Sequence, residues 1–274
     1  MKTTYRKTTT LAELKLQSMK CDTAKAVPMF ACAAKIEQTQ LYGIWNEQQD
    51  RLCTVASNNY NIVQHTDFIK DAASAMHKLN LKCVSTIRDS GNKVIVNINF
   101  TNSKLFVKKG EEFYLGVRLI NSYNRTTGVL IQPHLVRIVC TNGMVLGRWL
   151  KGFSIRHNSN MVGDIEHATK KVISDMAKNN DRFKALIESC IIDSVEWAVL
   201  DKILPSLMET KKHWKVIQQK LKEQNLKKIS RWDLYNAVTD YVSHNKSLSA
   251  VVDEWLQNKA QRILVTPFEN LIAI

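Results

Sequence analysis

The sequence predicts an α+β protein, with an antiparallel β-meander and a flanking helix in the first half and a helical C-terminal half. Apolar residues alternate along residues 94–100 and again along 113–119, the period of a strand with one buried face. After Met144 they recur instead at three- and four-residue intervals, as on helices. Nine glycines and four prolines in 274 residues argue against long disordered linkers.

The same patterns predict three regions along the chain. Residues 1–20 are rich in Thr and Lys and show little apolar periodicity, so we expect a flexible basic arm. Residues 21–158 are expected to form an α+β sheet domain. Residues 159–274 are expected to form a helical region packed on or beside it.

The first half is expected to hold several strands and one clear helix. Residues 41–45 favour a short strand or buried turn, residues 52–56 a strand, and residues 67–79 a helix. The meander strands are predicted near residues 81–87, 94–100, 105–107, 113–121 and 129–140, with a turn at 101–103. Pro133 cannot donate a ladder hydrogen bond, so the last strand is bulged there or lies at an edge.

Helices are predicted through the second half. The spacing favours helices over residues 161–178, 181–204, 206–226, 231–243 and 249–264. The second of these is expected to end before Pro205 and the last before Pro267. Ser230 and Asp233 form a capping-box pattern that starts the fourth, because their side chains can satisfy free amides of the first turn.

The positive charge of the chain is concentrated in two segments. The net charge is +14 at pH 7; residues 93–156 carry +8 and residues 210–231 carry +7, which leaves the remainder close to neutral. A basic surface binds the phosphates of a polyanion and gains affinity by releasing counterions. Solvated lysines along a helix face or strand edge are the alternative interpretation.

Arginines and aromatic residues share the meander, a combination that suits single-stranded nucleic acid. Bases stack on exposed rings with about 1–3 kcal/mol each. Tyr123 and Trp149 are expected to be the exposed rings. Arg118 and Arg137 are expected either on an open ligand-bearing face or paired with an acid at the core margin. The predicted nucleic-acid-binding residues are Arg118, Arg125, Arg137, Arg148, Lys151, Arg156, Tyr123, Trp149, Lys211, Lys212 and Lys215.

No common catalytic or cofactor-binding motif is present. The chain lacks a phosphate loop, a dinucleotide fingerprint, Gly-x-Ser-x-Gly and His-Glu-x-x-His. Cys140 with His157 or His134 would be a nucleophile and base, but Ile138 and Val139 beside it are typical of a packed thiol. Six cysteines without ligand or disulfide spacing indicate core thiols in a reducing compartment. We therefore expect no metal, no cofactor and a binding function rather than catalysis.

Several segments together resemble the phage/plasmid-like proteins of domain-of-unknown-function family 932. They are Ser57-Asn-Asn-Tyr60, Val63-Gln-His65, Gly116-Val-Arg-Leu-Ile-Asn-Ser-Tyr123, Arg137-Ile-Val-Cys-Thr-Asn-Gly143, Ile155-Arg-His157, and Trp232-Asp-Leu-Tyr-Asn-Ala-Val-Thr-Asp-Tyr241 with His244. They cover most of the chain after about residue 41. The resemblance implies a viral or mobile-element origin in a prokaryotic host and carries no established activity.

The leading hypothesis is a phage or mobile-element protein that binds single-stranded DNA in replication, recombination or annealing. Self-association into an oligomer is expected with that role. The second hypothesis is an interaction module that inhibits a host nuclease or defence factor, and the third is an enzyme using His157 and Cys140. No run of 18 apolar residues occurs, so no membrane contact is expected and the protein is placed in the host cytoplasm.

Overall fold

The computed structural model describes residues 4–32, 36–108, 111–137, 143–145, 152–157, 164–208, 210–245, 247–248 and 250–272. Within them the strands are β1 Thr4–Thr8, β2 Ala24–Cys32, β3 Ile36–Asn46, β4 Arg51–Ser57, β5 Cys83–Asp89, β6 Lys93–Lys108, β7 Glu111–Ser122, β8 Val129–Arg137, β9 Gly143–Val145, β10 Phe153–Ile155, β11 Ser194–Glu196 and β12 Lys228–Ser230. The helices are α1 Leu11–Ser18, α2 His65–Lys78, α3 Ile165–Lys178, α4 Asn180–Ile192, α5 Trp197–Met208, α6 Lys211–Lys222, α7 Arg231–His244, α8 Ala250–Val265 and α9 Phe268–Ile272. The predicted α+β class and the helical second half are confirmed.

The chain forms two compact units. The first unit comprises Met1–Ser103, Leu115–His134 and Leu150–Met176, and the second comprises Lys104–Tyr114, Leu135–Trp149 and Ala177–Ile274. The division therefore runs through strands β6, β7 and β8 rather than at residue 158.

The main sheet is the predicted meander with three strands beyond the predicted ranges, β1, β9 and β10. Its order is β1-β5-β6-β7-β8-β10, and β9 also pairs with β8. Strands β1, β5 and β6 pair antiparallel, as do β8 and β10. Alternate residues of β5 are buried, as the period of two requires.

The turn predicted at residues 101–103 is wrong, because β6 continues through it. The amide of Thr101 donates to the carbonyl of Lys82 at 2.8 Å. The side chain of Asn102 accepts from the amide of Lys82 at 3.0 Å and donates to the carbonyl of Asn80 at 3.1 Å. The polar residues that suggested a turn therefore hold β6 to the start of β5.

Residues 4–18 are regular structure rather than the expected flexible arm. Strand β1 pairs with β5 from Thr4 to Thr8. Helix α1 is capped by Thr10, whose side chain accepts from the amide of Glu13. Leu14 is fully buried where α1 packs against α2. Residues 4–18 are ordered by the pairing of β1 with β5 and by the burial of Leu14. Neither feature produces an apolar periodicity in the sequence.

A three-stranded antiparallel sheet, β2-β3-β4, completes the strands of the first unit. Strand β2 was not predicted. Ala24, Ile44 and Ala56 from the three strands form a buried cluster with Tyr123, which follows β7. The cluster fixes the end of β7 against this sheet.

Helix α7 is the centre of the second unit. Most of its residues are buried, and it contacts α4, α6 and α8. A helix that is buried on nearly all sides is the core of a helical assembly. The predicted capping box is present, with the Ser230 side chain accepting from the amide of Asp233 and the Asp233 carboxylate accepting from the amide of Ser230.

The prediction of a single helix over residues 181–204 is wrong, because the first helix ends at Ile192 and Asp193 is extended. Its backbone leaves the helix with φ −70° and ψ 107°. Its carboxylate lies 2.7 Å from Nε of Arg231 and accepts from the amide of Phe268 at 3.0 Å. Strand β11 follows and pairs with β12, and Pro205 lies inside α5 rather than ending a helix.

Candidate functional site

Three segments of the first unit surround a pocket of about 430 Å³. Its described lining residues are Ala56, Ser57, Tyr60, Arg125, Thr126, Thr127, Gly128, Arg156 and His157. Both arginines are exposed, and none of these nine residues is acidic. The pocket therefore presents two positive charges together with hydroxyl groups, a pattern suited to an anion.

Arg125 is held in position by a strained turn between β7 and β8. Its φ is +62°, in the left-handed region that few residues other than glycine adopt, at a cost of roughly 1–3 kcal/mol. The side chain of Asn124 accepts from the amide of Thr126 at 3.3 Å and from its hydroxyl at 2.7 Å. Nη1 of Arg125 donates to the carbonyl of Val55 at 3.2 Å. Strain at a pocket lined by a charged residue is an indication of function.

Arg156 reaches the same pocket because β10 lies very close to the turn. Ile155 pairs with Val129 at the start of β8. A Cβ atom on the neighbouring Gly128 would lie 2.2 Å from the carbonyl oxygen of Ile155. Only glycine leaves room for Ile155 to lie this close to the turn. Arg156 directly follows Ile155 and is therefore brought to the pocket.

His157 and Tyr60 form an aromatic side of the pocket. Their rings stack with centroids 5.0 Å apart. Nδ1 of His157 lies 3.1 Å from the carbonyl oxygen of Asn61, whose amide donates back to the carbonyl of His157. Because a carbonyl only accepts, the proton of the neutral ring is on Nδ1 and Nε2 is an acceptor. Burial lowers the pKa of His157, so the ring is neutral at pH 7.

A buried hydrogen-bond network lies at the end of β7 and the start of α2. The hydroxyl of Tyr123 accepts from the amide of His65 at 3.0 Å. It also lies 2.9 Å from the carbonyl of Asp22 and 3.0 Å from Oε1 of Gln64, and its proton serves one of the two at a time. The side-chain amide of Asn121 donates to the carbonyl of Val63 at 2.7 Å. These contacts fix the chain on either side of the pocket.

Of the predicted site residues, the structure brings Arg125 and Arg156 together. Tyr123 is fully buried in the network, so the expectation that it is exposed and stacks on bases is wrong. Arg118 is 4% exposed on β7, near His134. An arginine so deeply buried is part of the core, so the first of its two expected positions, on an open ligand-bearing face, is wrong.

Several other predicted residues fall outside what the structure describes. These are Arg148, Trp149 and Lys151, together with the side chain of Arg137 and the whole of Cys140. In the parts of the chain that are described, no group of His, Cys, Asp or Glu is placed to hold a metal ion. No described helix has the length and apolar character needed to cross a membrane.

Lys211, Lys212 and Lys215 lie exposed on α6 in the second unit, while its buried face carries His213, Ile217 and Leu221. Other lysines of the basic segment are paired with acids. Lys220 pairs with Asp240, and Lys228 lies 3.2 Å from Glu196. Two lysines of the basic segment are thus paired with carboxylates, and one of them, Lys228, is itself exposed.

The sequence prediction missed the polar lining residues of the pocket. Ser57, Tyr60, Thr126 and Thr127 were not proposed as site residues. Two signals could have found them. Ser57 and Tyr60 are the first and last residues of one of the family-like segments. Gly128 ends a turn that contains Arg125, a predicted site residue.

The fold is that of an α+β protein with a small basic pocket. The family model described as "Domain of unknown function (DUF932)" matches residues 53–264, which is most of the chain. The protein therefore belongs to the DUF932 family, which confirms the family resemblance seen in the sequence. No curated protein and no solved structure matches the chain.

Proposed function

We propose that the protein binds nucleic acid, with single-stranded DNA as the favoured ligand, in the replication, recombination or strand annealing of a phage or related element. The observation that carries the proposal is the convergence of Arg125 and Arg156 on one pocket whose described lining contains no carboxylate. A guanidinium group presents donors in a planar fork that matches two phosphate oxygens.

The exposed lysines of α6 support the same function independently of the pocket. Lys211, Lys212 and Lys215 are exposed, and no carboxylate in the described residues pairs with them. Exposed lysines act as point charges along a phosphate backbone and release counterions on binding. Their contribution is expected to be insensitive to base sequence.

Phe106 is the aromatic residue that best replaces Tyr123 as a stacking platform. Its side chain is 55% exposed on β6, in the second unit. In the same unit, Nζ of Lys104 lies 5.7 Å from the ring centroid of Tyr114. An exposed ring such as that of Phe106 suits unpaired bases, because every base offers a face for stacking.

The test is a binding titration against single-stranded and duplex DNA and RNA over a range of salt concentrations. Affinity should be highest for single-stranded DNA and should fall steeply with salt. Each lost phosphate contact should reduce the slope of log affinity against log salt by about 0.7 for a single strand. Salt-insensitive binding, or binding to none of the four polymers, would refute the proposal.

Charge-matched variants separate specific contacts from general attraction. The substitutions Arg125→Ala with Arg156→Ala remove two charges at the pocket, and Lys7→Ala with Lys82→Ala remove two exposed charges elsewhere in the first unit. The arginine pair should weaken binding and lower the salt slope, whereas the lysine pair should have little effect. Equal losses would show that only net charge matters. The triple variant Lys211→Ala, Lys212→Ala and Lys215→Ala tests α6 in the same way.

A further inference from the structure

We propose that the pocket formed by Arg125 and Arg156 binds one nucleotide carrying a terminal phosphate, supplied either by a free nucleotide or by the phosphorylated end of a strand. The inference rests on the proposed nucleic-acid-binding function for the nucleotide part of the ligand. It adds that the pocket recognises a phosphomonoester rather than an internal phosphate.

The size of the pocket favours one nucleotide. Its volume is about 430 Å³, near the lower end of the roughly 300–1,000 Å³ typical of small-molecule sites. Its described lining comes from residues 56–60, 125–128 and 156–157. An internal phosphate is joined to sugars on both sides and needs a groove that continues in two directions. A pocket of this volume suits a single nucleotide, and a terminal phosphate needs no such continuation.

The charge of the pocket favours a phosphomonoester. Two arginines supply two positive charges, and the lining histidine is neutral because burial lowers its pKa. A phosphomonoester carries about −1.5 to −2 at pH 7, whereas an internal phosphodiester carries a single negative charge. The terminal group therefore interacts more strongly with two guanidinium groups than an internal phosphate does.

Two lining side chains have polar atoms that no described residue satisfies. Oγ1 of Thr127 and Nε2 of His157 are both buried and have no hydrogen-bond partner among the described residues, and the exposed fraction of His157 is only 6%. The threonine hydroxyl can donate to a phosphate oxygen. Nε2 of His157 can accept from an N–H group of the base, since its proton is on Nδ1. The pair complements the phosphate and base of one nucleotide.

The experiment compares oligodeoxythymidylates of equal length that carry a 5′-phosphate, a 3′-phosphate or only hydroxyl ends. Thymidine 5′-monophosphate and thymidine serve as competitors. At least one phosphorylated end should bind about tenfold more tightly than the hydroxyl ends, as expected for an added charge-assisted contact. The monophosphate should remove that advantage and thymidine should not. Equal affinity for all three oligomers, with no competition by the monophosphate, would overturn the inference.

Variants assign the preference to the pocket. Arg125→Ala with Arg156→Ala should abolish the preference for the phosphorylated end, and Thr127→Val, which keeps the side-chain shape, should reduce it. Lys7→Ala with Lys82→Ala should leave it intact. Circular dichroism melting checks that each variant is folded. A preference that survives loss of both arginines would also overturn the inference.

The outcomes separate this inference from the proposed function. If all oligomers bind equally and the arginine variant weakens them equally, the pocket contacts internal phosphates; the proposed function then stands and the inference fails. If the monophosphate binds through the arginines and no oligomer binds, the terminal-phosphate chemistry stands and the proposed function fails.

Discussion

The ring of His65 stacks on the ring of Tyr123 with centroids 3.9 Å apart and planes inclined by 16°. His65 is the first residue of α2, and Tyr123 follows β7. The Tyr123 hydroxyl accepts from the backbone amide of His65, one of the amides that an α-helix leaves free at its start. A tyrosine expected at the surface thus acts as the cap of a buried helix end.

Removing the hydroxyl of Tyr123 should therefore destabilise the first unit. Tyr123→Phe keeps the stacked ring but leaves a buried amide without its acceptor, which should lower the free energy of unfolding by about 1–3 kcal/mol. Urea unfolding followed by circular dichroism measures the change. Tyr5→Phe, at a ring that is 51% exposed, is the matched control and should change stability far less. Equal losses in the two variants would contradict the capping role.

Adding one methyl group at Gly128 should displace Arg156. Gly128→Ala places a Cβ 2.2 Å from the carbonyl oxygen of Ile155, so β10 must move away from the turn. Overpacking of this kind costs about 1–3 kcal/mol, and nucleic-acid affinity should fall with it. Gly43→Ala is the control, because its closest contact would be the flexible end of Leu52 at 2.9 Å, with the nearest backbone atom at 3.8 Å. Wild-type binding by Gly128→Ala would show that the close approach is not needed.

His134 should make the protein less stable as the solution is acidified. Burial, with a smaller contribution from the charge of Arg118, lowers the pKa of His134 to about 3 from 6.5. Between those values the unfolded chain binds a proton that the folded chain does not. The free energy of unfolding should therefore fall by about 1.4 kcal/mol per pH unit as the pH decreases below about 6.5. Above that pH this histidine contributes no pH dependence.

Substitution isolates this histidine from the other titrating groups. The stability of His134→Gln, measured by urea unfolding between about pH 6 and about pH 4, should depend less steeply on pH than wild type by about 1.4 kcal/mol per unit. His77→Gln, at an exposed position on α2, controls for the loss of a histidine. An unchanged slope in His134→Gln would show that the ring is protonated in the folded protein.

Two ion pairs near the paired strands β11 and β12 should differ sharply in strength. Asp193 pairs with Arg231, whose side chain is 5% exposed and also donates to the carbonyl of Leu264 at 3.1 Å. Asp193→Asn leaves that buried guanidinium without a counter-charge and should cost at least about 2 kcal/mol. In the neighbouring pair of Glu196 and Lys228 both side chains are more than 60% exposed, so Glu196→Gln should cost less than about 1 kcal/mol. Chemical unfolding of both variants measures the contrast, and similar costs would contradict it.

The fold was predictable wherever local pattern and tertiary structure agree. Strand alternation located the meander, helical spacing located α2, and the capping box located the start of α7. The failures occur where distant residues decide the structure. The break at Asp193 depends on Arg231, and the extension of β6 depends on its hydrogen bonds to residues 80–82. Neither partner is visible in the local pattern.

The candidate site was predictable only in part for the same reason. The clustering of basic residues in the sequence suggested Arg125 and Arg156. It does not show whether a given side chain points to solvent. Tyr123 and Arg118 lie among the same residues and are buried. The polar lining of the pocket comes from turns and strand ends that meet only in the fold. Alternation along a strand assigns residues to faces and does not say which face remains open.

The edge position of β1 has a consequence for where the chain can be cut. The family match begins at residue 53, yet β1, α1, β2 and β3 precede that residue and complete both sheets of the first unit. A fragment trimmed to the match would leave the backbone of β5 open on one side and β4 without a neighbour. Because unpaired strands recruit strands from other molecules, such a fragment should aggregate.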